Sequence, residues 1–175
     1  MITFWRITLS VPKYLGFEII TKVDHENGYL PHRANPTDAG ADIKSAESTS
    51  IPPGETVLIS TGISVKIPMG YVGLVFSKSG QALKGVSLGN SVGVIDSDYR
   101  GEIKVPLINH SKDWYPILTG QKIAQLVIMP IVLPTFTKWE GEEGRKYLDP
   151  YGRGEFTESW VDTERGTGGF GSTGL

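Results

Sequence analysis

The sequence predicts an all-β fold, either a sandwich, a barrel or a jelly roll. Turn-forming residues interrupt the chain at short intervals, because 22 glycines and 11 prolines are spread over 175 residues. The stretches between these turns are rich in β-branched and aromatic residues, and none keeps a helical period for about four turns without Gly or Pro. Many short strands with turns roughly every eight to twelve residues are typical of these three architectures.

The strand patterns differ in how deeply they are buried. Residues 63–67 alternate apolar and polar side chains, and this period of two predicts a strand with one face in the core. Residues 71–76 and 123–128 are almost continuously apolar, which predicts more deeply buried strands. Residues 17–23 give a further strand candidate, whereas at most one short helix fits, near residues 81–84.

Composition narrows the class of protein. One domain of this length can bury a sizeable core, and the formal net charge of −2 lacks the basic excess of a general nucleic-acid binder. No apolar run approaches the roughly 20 residues of a membrane helix, and the first residues lack the layout of a signal peptide. The absence of cysteine excludes disulfides and thiolate metal sites. We therefore expect a soluble, intracellular protein, cytoplasmic rather than secreted, without membrane contact or direct nucleic-acid binding.

The chain is organised around residues 93–101, where an apolar run ends in an acidic turn and a new strand follows. This order predicts a β-hairpin. Two interpretations of its polar residues remain open. In the first, Asp96 and its neighbours only bond the backbone of the turn. In the second, Asp96 is a general base at the end of a buried strand, and Tyr99 offers a flat wall to a ligand.

Three other polar segments each have a structural and a functional interpretation. Asp42 is either a turn carboxylate or a residue that holds a hydrated metal ion or a basic side chain. Lys78, Ser79 and Gly80 follow a strand, and they fit either a serine N-cap with a solvated lysine or a phosphate site. Gln125 lies among apolar residues, where an unpaired amide costs about 1–3 kcal/mol, so it is either a satisfied core amide or a ligand contact.

Asn90 precedes the central segment, and its amide both donates and accepts hydrogen bonds, as recognition of a base edge requires. The histidines, in contrast, form no recognisable metal site. His25, His32 and His110 are far apart in the sequence, so we assign them no chemical role.

The end of the sequence changes in character. Residues 139–160 mix charges, glycines and aromatics without a clear period, which predicts a long surface insertion. Residues 165–175 contain five glycines, so a fixed conformation costs them much entropy. One arginine is too few for an Arg-Gly RNA-binding tail. Two interpretations are left, a disordered linker and a mobile arm. Arg165, Phe170 and two hydroxyl groups suit an arm that closes over a flat, anionic ligand.

Five motifs in this order resemble those of one family, the trimeric all-β dUTP pyrophosphatases (dUTPases). The motifs occupy residues 39–43, 78–80, 89–101, 120–126 and 165–173. The third and fifth are highly specific. The resemblance implies a homotrimer of jelly-roll-like β-barrels that hydrolyses dUTP to dUMP and pyrophosphate with Mg²⁺. It also implies active sites shared between subunits, a single β domain over residues 1–164 and a flexible arm over residues 165–175.

The resemblance assigns the nucleoside and the attacking water to the third motif. Asp96 would orient and deprotonate the water that attacks the α-phosphorus. Tyr99 would lie under the deoxyribose and exclude a 2′-hydroxyl. An amide and backbone groups would read the uracil edge, with too little room for a thymine methyl, and the residues concerned are Asn90, Val94, Ile95 and Lys104.

The other motifs are assigned to the phosphates and to closure of the site. Asp42 would meet Mg²⁺ through water. The phosphates would be held by Lys78, Ser79, Gly80 and Gln125. The arm would grip the γ-phosphate and cap the uracil with Phe170, and its substrate-binding residues are Arg165, Phe170, Gly171, Ser172 and Thr173.

Two features depart from the pattern of this family. Lys78 stands where arginine is usual, which keeps the positive charge but loses the bidentate fork. The insertion at residues 139–160 is longer than the usual connection into the arm, which leaves additional partners open.

Two alternative functions deserve comparison. The related dCTP deaminases place a glutamate base where this chain has Pro106, which cannot accept a proton, so deamination is disfavoured. A regulatory binding protein, in which the nucleotide switches a surface for another protein, is suggested only by the insertion. Because all the catalytic residues are present, regulation would be an added role.

Overall fold

The computed structural model describes residues 18–136 and residue 138, together with two strands at Arg145–Leu148 and Glu155–Glu158. The chain divides into two compact units, residues 1–133 and residues 134–175. The predicted boundary between residues 164 and 165 lies outside the described residues and stays a prediction.

The described part of the first unit consists of short strands and one helix of a single turn. In the part of the chain that the structure describes, no helix is long and apolar enough to cross a membrane. The strands are β1 (Ile20–Val23), β2 (Ala41–Lys44), β3 (Thr49–Ile51), β4 (Thr56–Ser60), β5 (Ile63–Lys66), β6 (Tyr71–Phe76), β7 (Val86–Leu88), β8 (Gly93–Ile95), β9 (Lys104–Asn109), β10 (Tyr115–Ile117) and β11 (Lys122–Pro130), and the helix is α1 (Ser79–Ala82).

The strands pair antiparallel throughout. The largest sheet has four strands in the order β2-β11-β6-β8, and a second has three in the order β4-β9-β7. Two further pairs, β1-β5 and β10-β3, complete the first unit. The prediction of an all-β protein is therefore confirmed.

The hydrophobic core joins these sheets, because nearly every strand contributes a fully covered apolar side chain. Its most buried members include Ile43, Ile51, Ile59, Val86, Val105, Ile117 and Ile123. The alternation predicted at residues 63–67 buries Ile63, Val65 and Ile67. Ser64 is buried as well, and its hydroxyl donates a hydrogen bond to Asp24 Oδ2 at 3.0 Å.

The predicted helix is shifted. It begins at Ser79, two residues before the predicted start, because Lys78 takes the extended N-cap conformation (φ −93°, ψ 131°) directly after β6. Strand β6 occupies the predicted residues, β11 extends beyond the predicted strand at both ends, and β1 begins only at Ile20.

The hairpin predicted around residues 93–101 is wrong. Strand β8 pairs with β6, whereas β9 pairs with β4 and β7, so the two strands belong to different sheets. Residues 96–103, here called the crossover loop, connect the two sheets. A strand-turn-strand pattern is local, but the partner of each strand is selected by contacts distant in sequence, and here those contacts separate β8 from β9.

The second unit contains a strand pair that the sequence did not predict. Strands β12 (Arg145–Leu148) and β13 (Glu155–Glu158) pair antiparallel, with Tyr147 opposite Phe156. Both strands lie inside the predicted insertion at residues 139–160. The alternation of residue types that would reveal a half-buried strand is weak here, which explains why it escaped notice.

Candidate active site

One end of the four-stranded sheet carries three charged side chains in contact, Asp42, Lys78 and Lys122, here called the charged cluster. Asp42 lies in β2 and is 8% exposed. The Lys78 ammonium forms an ion pair with Asp42 Oδ1, and Lys122 Nζ lies 2.7 Å from Asp42 Oδ2. Each oxygen of the carboxylate therefore faces one ammonium group, and the cluster keeps a net positive charge.

Two opposing effects act on the pKa of Asp42. Burial raises this pKa, whereas hydrogen bonds and charge from Lys122 and Lys78 lower it. The lysines outweigh burial, so the pKa lies below the ordinary value of an aspartate. Asp42 is therefore an anion at neutral pH.

The structure rejects the interpretation of Lys78 as a solvated lysine beside a serine N-cap. Lys78 is itself the N-cap residue of α1, no side chain caps that helix, and the lysine side chain is only 27% exposed. Ser79 and Gly80 form the exposed first turn. A Cβ added at Gly80 would meet no atom within 4 Å, so the space beside this turn is open to a ligand.

Gln125 lies next to the charged cluster in β11, between Asp42 of β2 and Phe76 of β6. Its Nε2 donates a hydrogen bond to the carbonyl of Ser77 at 3.0 Å. The amide has a second N–H, which remains available as a donor to an anionic oxygen. A Cβ added at Gly40 would lie 2.4 Å from Gln125 Oε1, so glycine at this position makes room for the amide.

The crossover loop begins with Asp96, whose side chain is exposed. Its carbonyl accepts a hydrogen bond from Tyr99 N–H at 3.2 Å. Its carboxylate has no hydrogen bond or ion pair with any described residue, so the interpretation as a turn-bonding aspartate is not supported. An exposed, unpaired carboxylate is free to accept a proton from water.

A cleft of about 560 Å³ lies beside the crossover loop. It brings together five of the predicted site residues with three others. The lining residues are Val94, Ile95, Asp96, Tyr99 and Lys104, together with Leu58, Glu102 and Ile103.

Tyr99 forms one wall of this cleft. Its hydroxyl donates to the carbonyl of Glu102 at 2.9 Å. A Cβ added at Gly101 would lie 2.5 Å from Tyr99 Oη and 2.7 Å from Cζ, so the ring can lie against the backbone only because residue 101 is glycine. Tyr99 is 42% exposed, and its ring offers a flat apolar surface to a ligand.

Asn90 is exposed and lies outside the cleft lining, beside the start of β8. Its Nδ2 would lie 3.7 Å from a Cβ added at Gly93. The next residue, Ser91, has a φ of 63°, an unusual conformation for a residue other than glycine. This sharp turn is closed by a hydrogen bond from Val92 N–H to the Asn90 carbonyl at 2.7 Å.

The charged cluster and Asp96 lie near opposite ends of β6. Val75 pairs with Gly93 and Gly73 with Ile95, so the same register places Asp96 level with Val72. Lys78 is six residues further along the chain, on the order of 20 Å at the rise of an extended strand. A general base must lie within hydrogen-bonding reach of the reacting water. Asp96 and Lys78 of one chain therefore do not meet at one phosphate group.

Comparison with known proteins identifies the family to which this chain belongs. The profile of the dUTPase family matches residues 26–174, most of the chain. The chain belongs to the dUTPase family. The deoxyuridine 5'-triphosphate nucleotidohydrolase of Corynebacterium diphtheriae is 43% identical to this dUTPase over 148 residues, which cover 83% of this chain and 86% of that protein.

Solved structures of other dUTPases share the jelly-roll-type β fold. The dUTPase of Staphylococcus bacteriophage 80alpha with dUpNHpp has a TM-score of 0.73 and 31% identity, over 90% of this chain and 99% of that one. A mutant dUTPase from phage phi11 of S. aureus, with a structural Mg(II) ion, has a TM-score of 0.67 and 32% identity. That match covers 71% of this chain and 97% of that one.

Several residues that the resemblance assigns to the dUTPase arm lie outside the described residues, and their roles stay predictions. They are Arg165, Phe170, Gly171, Ser172 and Thr173.

The described residues of this dUTPase fit Mg²⁺ that is carried mainly by a substrate. Among them, no group of three or more His, Cys, Asp or Glu side chains could enclose a metal ion. Asp42 is an ionised carboxylate with both oxygens already bonded to lysines. Mg²⁺ keeps several waters and commonly binds through one or two carboxylates plus substrate phosphates, so contact with Asp42 through water suits this donor set.

Sequence reasoning missed two charged residues of this dUTPase. Lys122 lies inside the fourth motif and completes the charged cluster, and Glu102 directly follows the third motif and lines the cleft. The signal available was a charged residue at the edge of an otherwise apolar strand. That signal alone does not identify the partner, which lies 80 residues away in the case of Lys122 and Asp42.

Proposed function

We propose that this chain hydrolyses dUTP to dUMP and pyrophosphate, with Asp96 as the general base. The observation that carries the proposal is the exposed, unpaired carboxylate of Asp96 on a cleft that also presents the Tyr99 ring. Membership of the dUTPase family supports the choice of dUTP as the substrate.

Asp96 acts on the water. Its carboxylate accepts a proton as the water oxygen attacks the α-phosphorus, and the bond from that phosphorus to the bridging oxygen of pyrophosphate breaks. Because the carboxylate has no competing partner among the described residues, no existing ion pair has to break first.

The charged cluster and its neighbours bind the phosphates. Lys78 supplies a cation, and Gln125 supplies an N–H donor, close to the open turn of Ser79 and Gly80. Lys122 keeps Asp42 paired if Lys78 turns towards a phosphate. Asp42 would contact the hydration shell of Mg²⁺, which neutralises phosphate charge when bound.

The cleft recognises the nucleoside. Tyr99 offers a flat surface to the deoxyribose, and the backbone groups of Val94, Ile95 and Lys104 read the uracil edge. The support is that all four residues line this cleft. Asn90 contributes an amide that donates and accepts, although it lies outside the cleft lining of a single chain.

The chain works as a homotrimer with shared active sites. The support is the register of β6 and β8, which places Asp96 and Lys78 of one chain at opposite ends of a strand. If both act at one phosphate group, they come from different subunits. Cyclic symmetry then repeats the same pairing at each of the three interfaces.

Mixed trimers test the shared site. Asp96→Asn removes the base, and Lys78→Ala removes the phosphate cation. With dUTP well below KM, each homotrimer should therefore lose roughly 10-fold or more of its activity. After the two variants are unfolded and refolded together, every mixed trimer should contain one site with both residues intact, and activity should return to roughly a third of wild type per mixed trimer. Verified mixed trimers without recovered activity would exclude the shared site.

Substrate profiling tests the reaction itself. Pyrophosphate release is measured with dUTP, dCTP, dTTP and UTP, with and without Mg²⁺. We expect release from dUTP with Mg²⁺ and much less from the other three. Conversion of dCTP to dUTP or dUMP would favour the deaminase alternative, although Pro106 lies in β9 opposite Leu58 and offers no proton acceptor.

A regulatory role is a second candidate, supported by the strand pair β12-β13 in the insertion. The phage 80alpha dUTPase belongs to the phage dUTPases described as controlling transfer of virulence genes by a proto-oncogenic G protein-like mechanism. Affinity capture from a cytoplasmic extract, with and without dUpNHpp, tests whether the nucleotide changes partner binding.

We further propose a cytoplasmic location, supported by the cysteine-free sequence.

A further inference from the structure

Glu102 anchors the end of the crossover loop to the body of the domain. One carboxylate oxygen, Oε1, accepts hydrogen bonds from Thr61 N–H at 3.0 Å, from Gly62 N–H at 2.8 Å and from the Ser60 hydroxyl. Ser60 is the last residue of β4, and Thr61 and Gly62 form the turn that leads into β5. A single side chain thus ties the loop to two strands of the core.

Glu102 also contacts the residues that face the cleft. Its carbonyl accepts the hydrogen bond from the Tyr99 hydroxyl, and its Oε2 lies 3.7 Å from Lys104 Nζ. Burial raises the pKa of Glu102, whereas hydrogen bonds from Ser60, Gly62 and Thr61 lower it. The lowering effect is the larger one, so the pKa lies below the ordinary value of a glutamate.

The remaining side chains of the loop make only local bonds. Arg100 donates to the carbonyls of Ser97 and Tyr99, and Tyr99 bonds Glu102. In the part of the chain that the structure describes, no side chain of the loop other than Glu102 hydrogen-bonds a residue outside the loop. The position of Asp96 and Tyr99 therefore depends on β8 at one end and on residues 102–103 at the other.

We propose that Glu102 is a positioning residue for the reaction, which holds the crossover loop so that Asp96 and Tyr99 face the cleft. This inference rests on the proposed roles of Asp96 and Tyr99. A displacement of about 1 Å at a reacting group can lower turnover roughly 100-fold, so an exposed loop that carries the base needs such an anchor.

The chain provides a matched control. Glu47 Oε1 accepts a hydrogen bond from Ser60 N–H at 2.7 Å, so it bonds the same turn as Glu102. Glu47 has no bond to the crossover loop. Glu47→Ala therefore removes a carboxylate from this turn and leaves the loop's side-chain anchor in place. Glu102→Ala removes that anchor and leaves only Ile103, which donates its N–H to the Ile63 carbonyl at 2.8 Å, to hold this end of the loop.

The test compares wild type with Glu102→Ala, Glu102→Gln and Glu47→Ala. For each protein, kcat and KM for dUTP and the affinity for dUpNHpp are measured well below its melting temperature, and thermal unfolding gives that temperature. We expect Glu102→Ala to lower kcat roughly 10–100-fold, and Glu47→Ala to change kcat less than about twofold. Glu102→Gln should lose less than Glu102→Ala, because its amide oxygen still accepts from Thr61 and Gly62. This rescue, and a kcat loss exceeding the change in KM, separate positioning from a loss of stability.

Equal kcat values for Glu102→Ala and Glu47→Ala would overturn the proposal. If Glu102→Ala does not fold, Glu102→Gln is the deciding variant. We then expect Glu102→Gln to lower kcat at least about threefold. A kcat of Glu102→Gln equal to that of Glu47→Ala would overturn the proposal. The proposed function fails separately, if wild type does not release pyrophosphate from dUTP or if Asp96→Asn keeps its turnover.

Discussion

The charged cluster and the crossover loop contribute to one proposed reaction but are built in opposite ways. Asp42 is buried within a sheet, and both its oxygens are bonded to lysines. Asp96 is exposed on a loop between two sheets, and its carboxylate has no partner among the described residues. Both are aspartates, so the difference in their surroundings determines what each can do.

The two aspartates suit different tasks: Asp42 holds positive charges in place, and Asp96 accepts a proton. An aspartate fixed between two cations holds those cations in position but is a poor base, because its lowered pKa favours the ionised form. An exposed and unpaired aspartate can take a proton, but it needs the backbone to hold it in position. The position of Asp96 therefore depends on the residues that anchor the crossover loop, whereas the side chains of the charged cluster hold one another in position. Each prediction below tests one side of this contrast.

Asp96→Asn should have the largest effect on activity. Asparagine keeps the size of the side chain but cannot accept the proton of the attacking water, and general-base catalysis is worth roughly 10²–10⁴-fold. We expect kcat to fall by that factor, with the melting temperature and dUpNHpp affinity nearly unchanged. Steady-state pyrophosphate release and thermal unfolding measure both. Turnover above about a tenth of wild type would remove Asp96 from this role.

Lys78→Ala should have the next largest effect. Hydrogen bonds to charged groups are worth about 1.5–3 kcal/mol, which corresponds to roughly a 10–100-fold loss of kcat/KM. Lys78→Arg is the control, since guanidinium keeps the charge and matches two phosphate oxygens, and it should retain or improve substrate binding. An alanine variant with wild-type kcat/KM would mean that Lys78 only pairs with Asp42.

Gly40→Ala should have a moderate effect. The new Cβ would lie 2.4 Å from Gln125 Oε1, so the amide must move and weaken its bond to Ser77. We expect about a 3–10-fold loss of kcat/KM, equivalent to roughly one hydrogen bond. In a Gln125→Ala background the same substitution should have a smaller further effect, because only the 3.2 Å approach to the Cβ of residue 125 remains. A full loss there would show that the glycine matters for another reason.

Asp42→Asn should show its clearest effect in the pH dependence of stability. The folded pKa of Asp42 is lowered, so its ionisation stabilises the fold above the unfolded value of about 3.9 and loses this effect as the pH falls through the lower, folded value. The lysines are partly solvated, so we expect a difference in unfolding free energy of about 1–2 kcal/mol at neutral pH.

Chemical denaturation of wild type and Asp42→Asn from about pH 7 down to about pH 2 measures this difference, which should shrink below about pH 4. Asp113→Asn is the control, because the side chain of Asp113 is not part of the cluster. A gap between wild type and Asp42→Asn that stays constant over the whole range would contradict the ion-pair explanation.

The sequence by itself determined the all-β class and the residue types of the site. Turn residues and two-residue periods are local properties, and they were sufficient to predict strands β5, β6 and β11. The motifs were sufficient to select Asp42, Lys78, Asp96 and Gln125 as candidates. These predictions needed no knowledge of which strands are neighbours.

Only the tertiary structure decided how these residues are arranged. It separated β8 from β9 into two sheets, paired Asp42 with Lys122 as well as Lys78, and tied Glu102 to the turn between β4 and β5. The side-chain contacts of Asp42 and of Glu102 each join residues at least 36 positions apart. Strand order is set by the packing of the whole core, and a local pattern of residues carries no information about that order.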